Sequence, residues 1–351
     1  MTETPATPET PATPGLDLAT LDTYLRDAHP GLVNGPLSAE LIAGGRSNLT
    51  YYVTDGTSRW VLRRPPLAHV LATAHDMARE YRVLRALAGT DIPVPGTIAL
   101  CTDPEVLGAP FYLMQRVDGV VLRSFRDTER IGPAACEALG HQLVDVLADL
   151  HNLHPEQVGL GDFGRPEGYL TRQVSRWRKQ LDSSRSREVE GIDELYDTLA
   201  DSVPASQRYS LLHGDFRLDN VLVTGWSDPG RQRIAAVLDW EMATLGDPLA
   251  DLGLFVIYSR GAGKDDPVTG GVTSAPGFPP IAEQISRYAE RTGTDVSQLD
   301  WYVGLASFKL AVVLEGIYYR FMLGKTIGPG FDRIGALVPG LVRNGLDALN
   351  S

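Results

Sequence analysis

The chain has 351 residues, of which 43% are hydrophobic and 22% are charged. This composition excludes a fibrous or wholly disordered protein and allows two domains with buried cores. The formal net charge of −12 argues against nucleic acid as a partner, because phosphate backbones are bound by basic surfaces. The two cysteines, Cys101 and Cys136, lack a metal-type spacing and are predicted to be reduced thiols of a cytoplasmic protein.

A tail rich in proline and threonine opens the chain. Residues 3–14 consist of the hexapeptide ETPATP and its repeat. Such a segment has no apolar side chain larger than alanine, so it cannot bury a core. We therefore predict that residues 1–15 form a disordered tail. No secretory signal is expected, because no long apolar segment occurs there.

Strand and helix patterns then alternate through the first third of the chain. A short helix is predicted over 16–28, and a second over 76–89, where apolar residues recur at helical spacing. Alternating runs flank Asp55-Gly56, a strong hairpin signal. Two more strands are predicted around 92–101 and 111–117. Residues 16–116 should therefore form a small lobe with an antiparallel sheet.

From Pro133 onwards the pattern is mainly helical. Leu139, Leu143, Leu147 and Leu150 would lie on one face of a long helix, and further helices are predicted over 281–292, 299–323 and 333–349. Short strands interrupt this region between 209 and 240. The fold class is therefore α+β, with residues 117–351 as a larger helical lobe.

The most apolar long segment spans residues 305–323. It is interrupted by Lys309, Glu315 and Arg320. A membrane span tolerates such charges poorly, so we predict a buried helix of the second lobe and no membrane partner.

A dense polar cluster follows a short apolar run in LLHGDFRLDN, residues 211–220. It contains His213, Asp215, Asp219 and Asn220, and a second apolar run, IAAVLDW, carries Asp239. Polar groups beside a core are costly unless a metal or substrate completes their hydrogen bonds. Carboxylate and amide oxygens on neighbouring loops are what phosphoryl transfer requires, because one carboxylate accepts the hydroxyl proton and the others hold Mg²⁺.

These segments resemble the aminoglycoside phosphotransferase family of choline-kinase-like small-molecule kinases. The match is carried by HGDFRLDNVLV and VLDWEMATLGDPLADLG, and it extends over nearly all of the chain after residue 35. GGRSNLTYYV and WVLRRPP resemble a branch that includes the kinase domains fused to acyl-CoA dehydrogenases. The resemblance implies a bilobal protein-kinase-like fold that binds ATP and Mg²⁺ and phosphorylates a hydroxyl of a small molecule.

The resemblance also implies roles for the polar cluster. Asp215 would be the catalytic base, and His213 would brace its loop by hydrogen bonds. Asn220 and Asp239 would hold Mg²⁺, and Asp251 would support the catalytic loop. Two interpretations remain for Asp219: its carboxylate either only stabilises the loop or supports the residues of the site.

The nucleotide side of the predicted site is spread over the first lobe. GGRSNLT, 44–50, lies between two strands and either covers the phosphates or is a plain hairpin loop. In the first case close approach and donors would come from Gly44, Gly45, Ser47, Asn48 and Thr50. Backbone atoms of Gln115 and Val117, in a segment that resembles the inter-lobe hinge, would contact the purine. The alternative for that segment is an ordinary strand end.

Arg63 occupies the position at which a kinase normally has a lysine for the α- and β-phosphates. Alternation along the strand would place Val61 on the same side, lining the adenine pocket. Glu80, on the following helix, would pair with Arg63. Arginine keeps the charge but is not interchangeable with lysine. If the strand register differs by one residue, Arg64 would take this position.

The segment 171–187 concentrates positive charge in an otherwise acidic chain. The segment contains a single acid, Asp182. Its basic residues are Arg172, Arg176, Arg178, Lys179, Arg185 and Arg187. The segment is either a solvated helix face or an anion-binding wall. The second interpretation favours an anionic acceptor such as a hydroxyacyl-CoA over an aminoglycoside, although acids return between 188 and 201.

An active ATP-dependent kinase is the function that these residues favour. A nucleotide-binding pseudokinase with a regulatory or scaffolding role is the alternative, supported by Arg63 alone. A protein kinase is disfavoured, because DFG and APE motifs are missing from the sequence. The sequence indicates neither an oligomeric state nor a preference between ATP and GTP.

Overall fold

The computed structural model describes residues 14–42, 48–66, 76–228, 230–261, 263–325 and 331–351. The chain divides into two units. One contains the described residues up to Ala88 together with Pro95–Val117, and the other contains Gly89–Val94 and Asp118–Ser351. The chain therefore leaves the first unit at Gly89 and returns to it at Pro95. The predicted boundary between residues 116 and 117 does not include this excursion.

The first unit is built on a five-stranded sheet in the order β1-β2-β3-β5-β4, in which every neighbouring pair is antiparallel. Its strands are β1 (Ser38–Leu41), β2 (Leu49–Thr54), β3 (Arg59–Arg64), β4 (Thr97–Cys101) and β5 (Phe111–Gln115). Its helices are α1 (Leu18–Ala28), α2 (Met77–Leu87) and α3 (Pro104–Leu107).

The predicted hairpin at Asp55-Gly56 joins β2 to β3. Gly56 has φ 87°, in the left-handed region that favours glycine. The Asp55 side chain accepts the amide hydrogens of Thr57 at 2.9 Å and Ser58 at 2.6 Å. Such local bonds satisfy the turn and explain why this dipeptide predicts it so well.

One face of the sheet packs under α1. Leu21 and Leu25 of the helix join Tyr51, Val53 and Leu62 of the strands in a single apolar cluster. The chain before α1 is fixed to this core, because the Tyr51 hydroxyl donates to the carbonyl of Pro14 at 2.6 Å and Arg64 donates to Gly15. These two positions are therefore not part of a disordered tail. Residues 1–13 lie outside the described residues.

The second unit is mainly helical. Its longer helices are α5 (Pro133–Asn152), α6 (Tyr169–Ser184), α7 (Ile192–Asp201), α8 (Pro248–Arg260), α9 (Ile281–Thr292), α10 (Leu299–Met322) and α12 (Val338–Leu349). Two shorter ones are α4 (Phe125–Ile131) and α11 (Phe331–Ile334). The helix predicted over 333–349 is thus divided between α11 and α12.

Helix α10 is the centre of this unit. It packs against α6, α7, α8, α11 and α12. By length and composition it could cross a membrane, but 78% of its most apolar window is buried inside the protein. Its acid Glu315 is fully buried and pairs with Arg187 at 3.0 Å. This is the buried helix that the interrupted apolar pattern predicts.

Two short antiparallel pairs hold the loops between the helices. They are formed by β6 (Ser210–Leu212) with β9 (Thr244–Gly246), and by β7 (Val221–Thr224) with β8 (Arg233–Val237). The strand β9 was not expected from the sequence, because three residues give too short a pattern. The polar cluster of residues 213–220 lies between β6 and β7.

Candidate active site

The loop after β6 bends at Gly214. Its φ is 83°, and an added Cβ would lie 2.7 Å from the carbonyl oxygen of Met242. No side chain fits there, so glycine is required for this loop to pass the segment after β8. The glycine of HGD thus sets the position of Asp215.

His213 is fully buried and bonds through both ring nitrogens. Nε2 lies 2.8 Å from the carbonyl oxygen of Leu238, and Nδ1 lies 3.2 Å from the amide of Asp215. A carbonyl requires a donor and an amide requires an acceptor, so the ring is the neutral tautomer with its proton on Nε2. Such a ring braces the loop and has no nitrogen left for chemistry, as the sequence suggests.

Both carboxylate oxygens of Asp215 are fixed. The Tyr258 hydroxyl donates to Oδ1 at 2.6 Å, and Nδ2 of Asn220 donates to Oδ2 at 2.9 Å. Asp215 is half-buried. Each oxygen can accept more than one hydrogen bond. The group is therefore oriented but can still accept a proton from a hydroxyl.

Asp251, in the first turn of α8, supports the loop from inside. It is 3% exposed and accepts the amide hydrogens of His213 at 2.6 Å and Gly214 at 3.0 Å. Burial alone would raise the pKa of Asp251, but the neighbouring His151 and the hydrogen bond from His213 lower it below 3.8. The carboxylate therefore stays charged at neutral pH and holds the two amides before Asp215.

The buried neighbour of Asp251 is His151. Its Nε2 is 3.5 Å from Asp251 and its Nδ1 is 2.7 Å from the Tyr288 hydroxyl. Burial lowers the pKa of His151 from its usual 6.5, against the opposing effect of Asp251. His154, three residues on, is exposed. His151 therefore has a structural role, bonded to Tyr288 beside Asp251.

His151 should make stability depend on pH. The folded state keeps this ring neutral, whereas the unfolded chain protonates it below pH 6.5, so stability falls as the pH falls through that value. One such group contributes about 1.4 kcal/mol between about pH 7.5 and about pH 5.5. Asp251 titrates below this window. Urea unfolding at both pH values, with His151→Gln compared to His154→Gln, checks this: the first variant should lose the pH effect and the second should keep it.

Asn220 lies just before β7, and Asp239 lies just after its partner strand β8. The amide of Leu238 donates to the carbonyl of Asn220 at 2.8 Å, which brings Asp239 to the same end of the hairpin. Nδ2 of Asn220 is bonded to Asp215, so Oδ1 faces away from it. Asp239 has φ 65°, and it is the sole non-glycine with a positive φ among the described residues. Strain of this kind is often kept at functional sites.

These two side chains carry the kind of oxygen atoms that a magnesium ion takes as ligands. Mg²⁺ in nucleotide sites usually takes one or two protein oxygen ligands, and the phosphates and waters supply the others. One amide oxygen and one carboxylate at adjacent strand ends provide that set. Asn220 and Asp239 are thus the residues that would hold the metal.

Two charged side chains near Asp215 were missed or left open by the sequence. Arg217 pairs with Asp219, stacks 4.7 Å from the ring centre of Tyr258, and donates to Val268 at 2.9 Å. Asp219 therefore stabilises the loop through Arg217. Nothing in the motif distinguishes these partners, because Tyr258 and Val268 lie far along the chain.

Lys309 of α10 was also not predicted. Its amino group donates to the carbonyl of Gly214 at 2.9 Å and lies 5.7 Å from the ring centre of Trp177. Burial lowers the pKa of Lys309, while Asp215 and Asp251 act in the opposite direction. A charge inside an apolar helix was a usable signal, because such a charge is normally paired or functional.

In the first unit, Glu80 gathers the predicted partners. Nε of Arg63 is 3.1 Å from Oε2, and Nδ2 of Asn48 donates to Oε1 at 3.2 Å. The Tyr112 hydroxyl, which sequence analysis missed, donates to Oε2 at 2.9 Å. Glu80 is 2% exposed, so these contacts are needed to keep its charge buried. The predicted Arg63–Glu80 pair is present.

Strand register separates the two arginines of β3. Thr50 lies opposite Arg63, and Tyr52 lies opposite Val61, so these four share one face of the sheet. Arg64 is on the other face, buried with α1 and bonded to Gly15. The register slip that would exchange Arg63 for Arg64 therefore does not occur.

The remaining residues of the predicted nucleotide site are Gln115, Val117 and the glycine-rich loop. The amide of Gln115 donates to the carbonyl of Gly96 at 2.7 Å, so this N–H is not available to a purine. Val117, two residues on, is half-buried. Gly44, Gly45 and Ser47 lie outside the described residues.

The basic segment 171–187 is largely engaged within its own unit. Its internal contacts are Arg178 with Asp182 and Asp193, Arg185 with Asp193, Arg187 with Glu315, and Arg172 with the carbonyls of Arg165 and Glu167. An anion-binding wall of six cations is therefore not formed. Within the described residues, no hydrogen bond or ion pair engages the exposed side chains of Arg176 and Lys179.

Together, a five-stranded antiparallel sheet with an Arg–Glu pair and a helical unit with an H-x-D-x-x-x-x-N loop define a kinase-like fold of class α+β. Residues 38–296 match the model of the phosphotransferase enzyme family. The chain belongs to this family, and its class is that of a small-molecule kinase. The recognition made from HGDFRLDN and VLDWEMATLGDPLADLG is confirmed.

Relatives and solved structures agree with this assignment. The chain is 34% identical over 359 residues to acyl-CoA dehydrogenase family member 11 of Gallus gallus, covering 99% of this chain and 45% of that protein. It is 31% identical to family member 10 of Mus musculus, covering 90% of this chain and 30% of that protein. The chain thus spans less than half the length of these relatives.

Among solved structures, a Ralstonia eutropha protein provisionally described as an aminoglycoside phosphotransferase has a TM-score of 0.82 at 33% identity, covering 95% of this chain and 98% of that chain. Aminoglycoside phosphotransferase APH(4)-Ia, solved with AMP-PNP and hygromycin B, has a TM-score of 0.59 at 18% identity, covering 94% and 98%. The second likeness shows the fold alone.

Proposed function

We propose that this protein is an ATP- and Mg²⁺-dependent kinase that transfers the γ-phosphate to a hydroxyl of an anionic small molecule. The observation that carries the proposal is the hydrogen-bonded Asp215 carboxylate, held beside Asn220 at the start of β7. A degenerate kinase has no need to keep this base oriented. The alternative, a pseudokinase, has the support of Arg63 in place of lysine.

In the proposed reaction, Asp215 orients the acceptor hydroxyl and takes its proton as the new O–P bond forms and the bond between the γ-phosphorus and the bridging oxygen of ADP breaks. Asn220 and Asp239 would hold Mg²⁺, which when bound supplies positive charge to the phosphates. Asp251 and His213 keep the loop in place and do not exchange protons with the substrate. The roles differ because the Asp215 carboxylate can accept a further hydrogen bond, whereas His213 and Asp251 are engaged in holding the loop.

The nucleotide is proposed to lie on the face of β2 and β3 that carries Thr50, Val61 and Arg63. The Arg63 guanidinium, whose Nε pairs with Glu80 at 3.1 Å, would supply the positive charge that phosphate oxygens require. Structural neighbours were solved with AMP-PNP, ADP or GDP. We propose ATP as the donor.

The acceptor is proposed to bind near Arg176 and Lys179. The ring of Trp177, beside Arg176, lies 5.7 Å from Lys309, which bonds the loop residue Gly214. This chain of contacts places α6 beside the catalytic loop. The similar proteins of chicken and mouse are named as acyl-CoA dehydrogenases. A hydroxyacyl-CoA combines the required hydroxyl with the negative charge that two cations would recognise.

The proposal is tested by measuring ADP formation with Mg²⁺-ATP against hydroxyacyl-CoAs, aminoglycosides, choline and amino alcohols. Turnover with a hydroxyacyl-CoA, lost in Asp215→Asn, supports it. Turnover with an aminoglycoside alone would keep the kinase and refute the anionic acceptor. Tight nucleotide binding without turnover on any acceptor would favour the pseudokinase.

Neutralising Arg176 and Lys179 together (Arg176→Gln with Lys179→Gln) should raise the KM of an anionic acceptor and leave the KM of ATP within about twofold. Exposed charge contacts contribute modestly, about 0.2–1 kcal/mol each, so a KM increase of about 2- to 30-fold is expected. The effect should shrink at high salt, because exposed charges are screened within about 10 Å at 0.1 M. Steady-state kinetics at two salt concentrations measure both.

Arg343→Gln is the matched control, because Arg343 is an exposed arginine on α12. It should leave both KM values unchanged. An acceptor KM that stays constant in the double variant, or falls, would contradict the assignment of α6 to an anionic acceptor.

A further inference from the structure

Tyr258, near the end of α8, donates its hydroxyl to Oδ1 of Asp215 over 2.6 Å. The side chain is 8% exposed. Burial, and then the charge of Asp215, raise the pKa of Tyr258 well above its usual 10.0. The phenol therefore stays protonated at neutral pH and acts only as a donor to the carboxylate. The family motifs in HGDFRLDN and DPLADLG do not include this residue.

Helix α8 contacts the catalytic loop at two points. Asp251 and Tyr258 are seven residues apart, close to two helical turns, so they share one face of α8 and are separated by about 10 Å along its axis. Asp251 holds the amides of His213 and Gly214. Tyr258 holds the side chain of the next residue, Asp215. One rigid helix thus fixes both the backbone and the carboxylate of the base.

Tyr258 is itself held in place. The guanidinium of Arg217 lies 4.7 Å from the centre of its ring, and Arg217 is anchored by Asp219 and by the carbonyl of Val268. The backbone carbonyl of Tyr258 also accepts a hydrogen bond from Thr273 at 3.3 Å. A ring packed in this way cannot turn away from Asp215 without breaking other contacts.

We propose that Tyr258 is a positioning residue for phosphoryl transfer: its hydrogen bond fixes the rotation of the Asp215 carboxylate about the Cβ–Cγ bond. With Tyr258 on Oδ1 and Asn220 on Oδ2, the plane of the carboxylate is set from both sides. The remaining lone pairs then face the acceptor hydroxyl in one orientation. This inference rests on the proposed function, since it requires Asp215 to be the base.

Tyr258→Phe removes the hydroxyl and keeps the ring. Because small errors in the placement of a reacting group are costly, kcat should fall by about 10- to 100-fold. The KM of ATP should stay within about twofold, since Tyr258 contacts the base and not the predicted nucleotide residues. Tyr302→Phe is the matched control: its hydroxyl donates to Asp247, also buried, at 2.9 Å, and its loss should leave kcat within about twofold.

A double-mutant cycle separates positioning from folding. If Tyr258 acts through Asp215, Tyr258→Phe should lower the residual rate of Asp215→Ala no further, whereas independent effects would multiply. Wild-type kcat in Tyr258→Phe, or an equal loss in both backgrounds, would overturn the inference. If the wild-type chain phosphorylates no acceptor, the proposed function fails separately. In that case the free energy of unfolding is measured for the wild type, the two single variants and the double variant. If the losses of the two single variants simply add in the double variant, the Tyr258–Asp215 contact itself is overturned.

Discussion

Replacing Asp215 by asparagine is expected to lower kcat by about 10²- to 10⁴-fold while nucleotide binding is kept. Asp215 is the carboxylate that both Asn220 and Tyr258 orient, and asparagine has nearly the same shape but cannot accept the hydroxyl proton. Turnover measured with the acceptor found in the panel gives kcat, and titration calorimetry with a non-hydrolysable ATP analogue gives the affinity.

Asp239→Asn is the contrasting variant. It removes a charged ligand from the proposed Mg²⁺ site, so the affinity for the nucleotide should fall in the presence of Mg²⁺ and change little without it. If Asp215→Asn retained full turnover, Asp215 would not be the base. If Asp239→Asn bound Mg²⁺-nucleotide as the wild type does, Asp239 would not be a metal ligand.

Replacing Asp251 by alanine should cost about 3–5 kcal/mol of unfolding free energy, the largest loss of stability expected for a single site here. Its side chain is 3% exposed and accepts two amide hydrogens. Alanine would leave those amides buried without acceptors and His151 without its neighbouring carboxylate. Urea unfolding at neutral pH measures the loss, and kcat of the folded fraction should fall too, because the loop before Asp215 is released.

The control for this loss is Ser124→Ala, in the same unit. Ser124 caps α4 by accepting the amide of Asp127 at 3.3 Å, and loss of such a cap typically costs about 1 kcal/mol. A loss in Asp251→Ala no greater than in Ser124→Ala would show that the two amides find other partners. The support assigned to Asp251 would then be wrong.

Sequence by itself determined the fold class and the core of the site. A short motif is enough to predict the residues that lie together in one loop: H-x-D-x-x-x-x-N contains His213, Asp215 and Asn220. Hydrophobic periodicity predicted α2, α5 and α9, because each helix buries one face, whereas the apolar composition of residues 305–323 predicted α10, which is buried nearly all round. Strand alternation predicted that Arg63 and Val61 share a side of β3, and the pairing register of β2 and β3 agrees.

Tertiary structure decided the contacts between distant residues that no motif marks. No local pattern marks Tyr258 as a partner of Asp215 or Tyr112 as a partner of Glu80, and Lys309 is visible in sequence only as a charge inside an apolar segment. The same holds for the basic segment: its charge is visible in sequence, but the acids that engage Arg178 and Arg187 lie on α7 and α10. Composition gives the charge of a segment, whereas packing decides which of its cations, here Arg176 and Lys179, remain for a ligand.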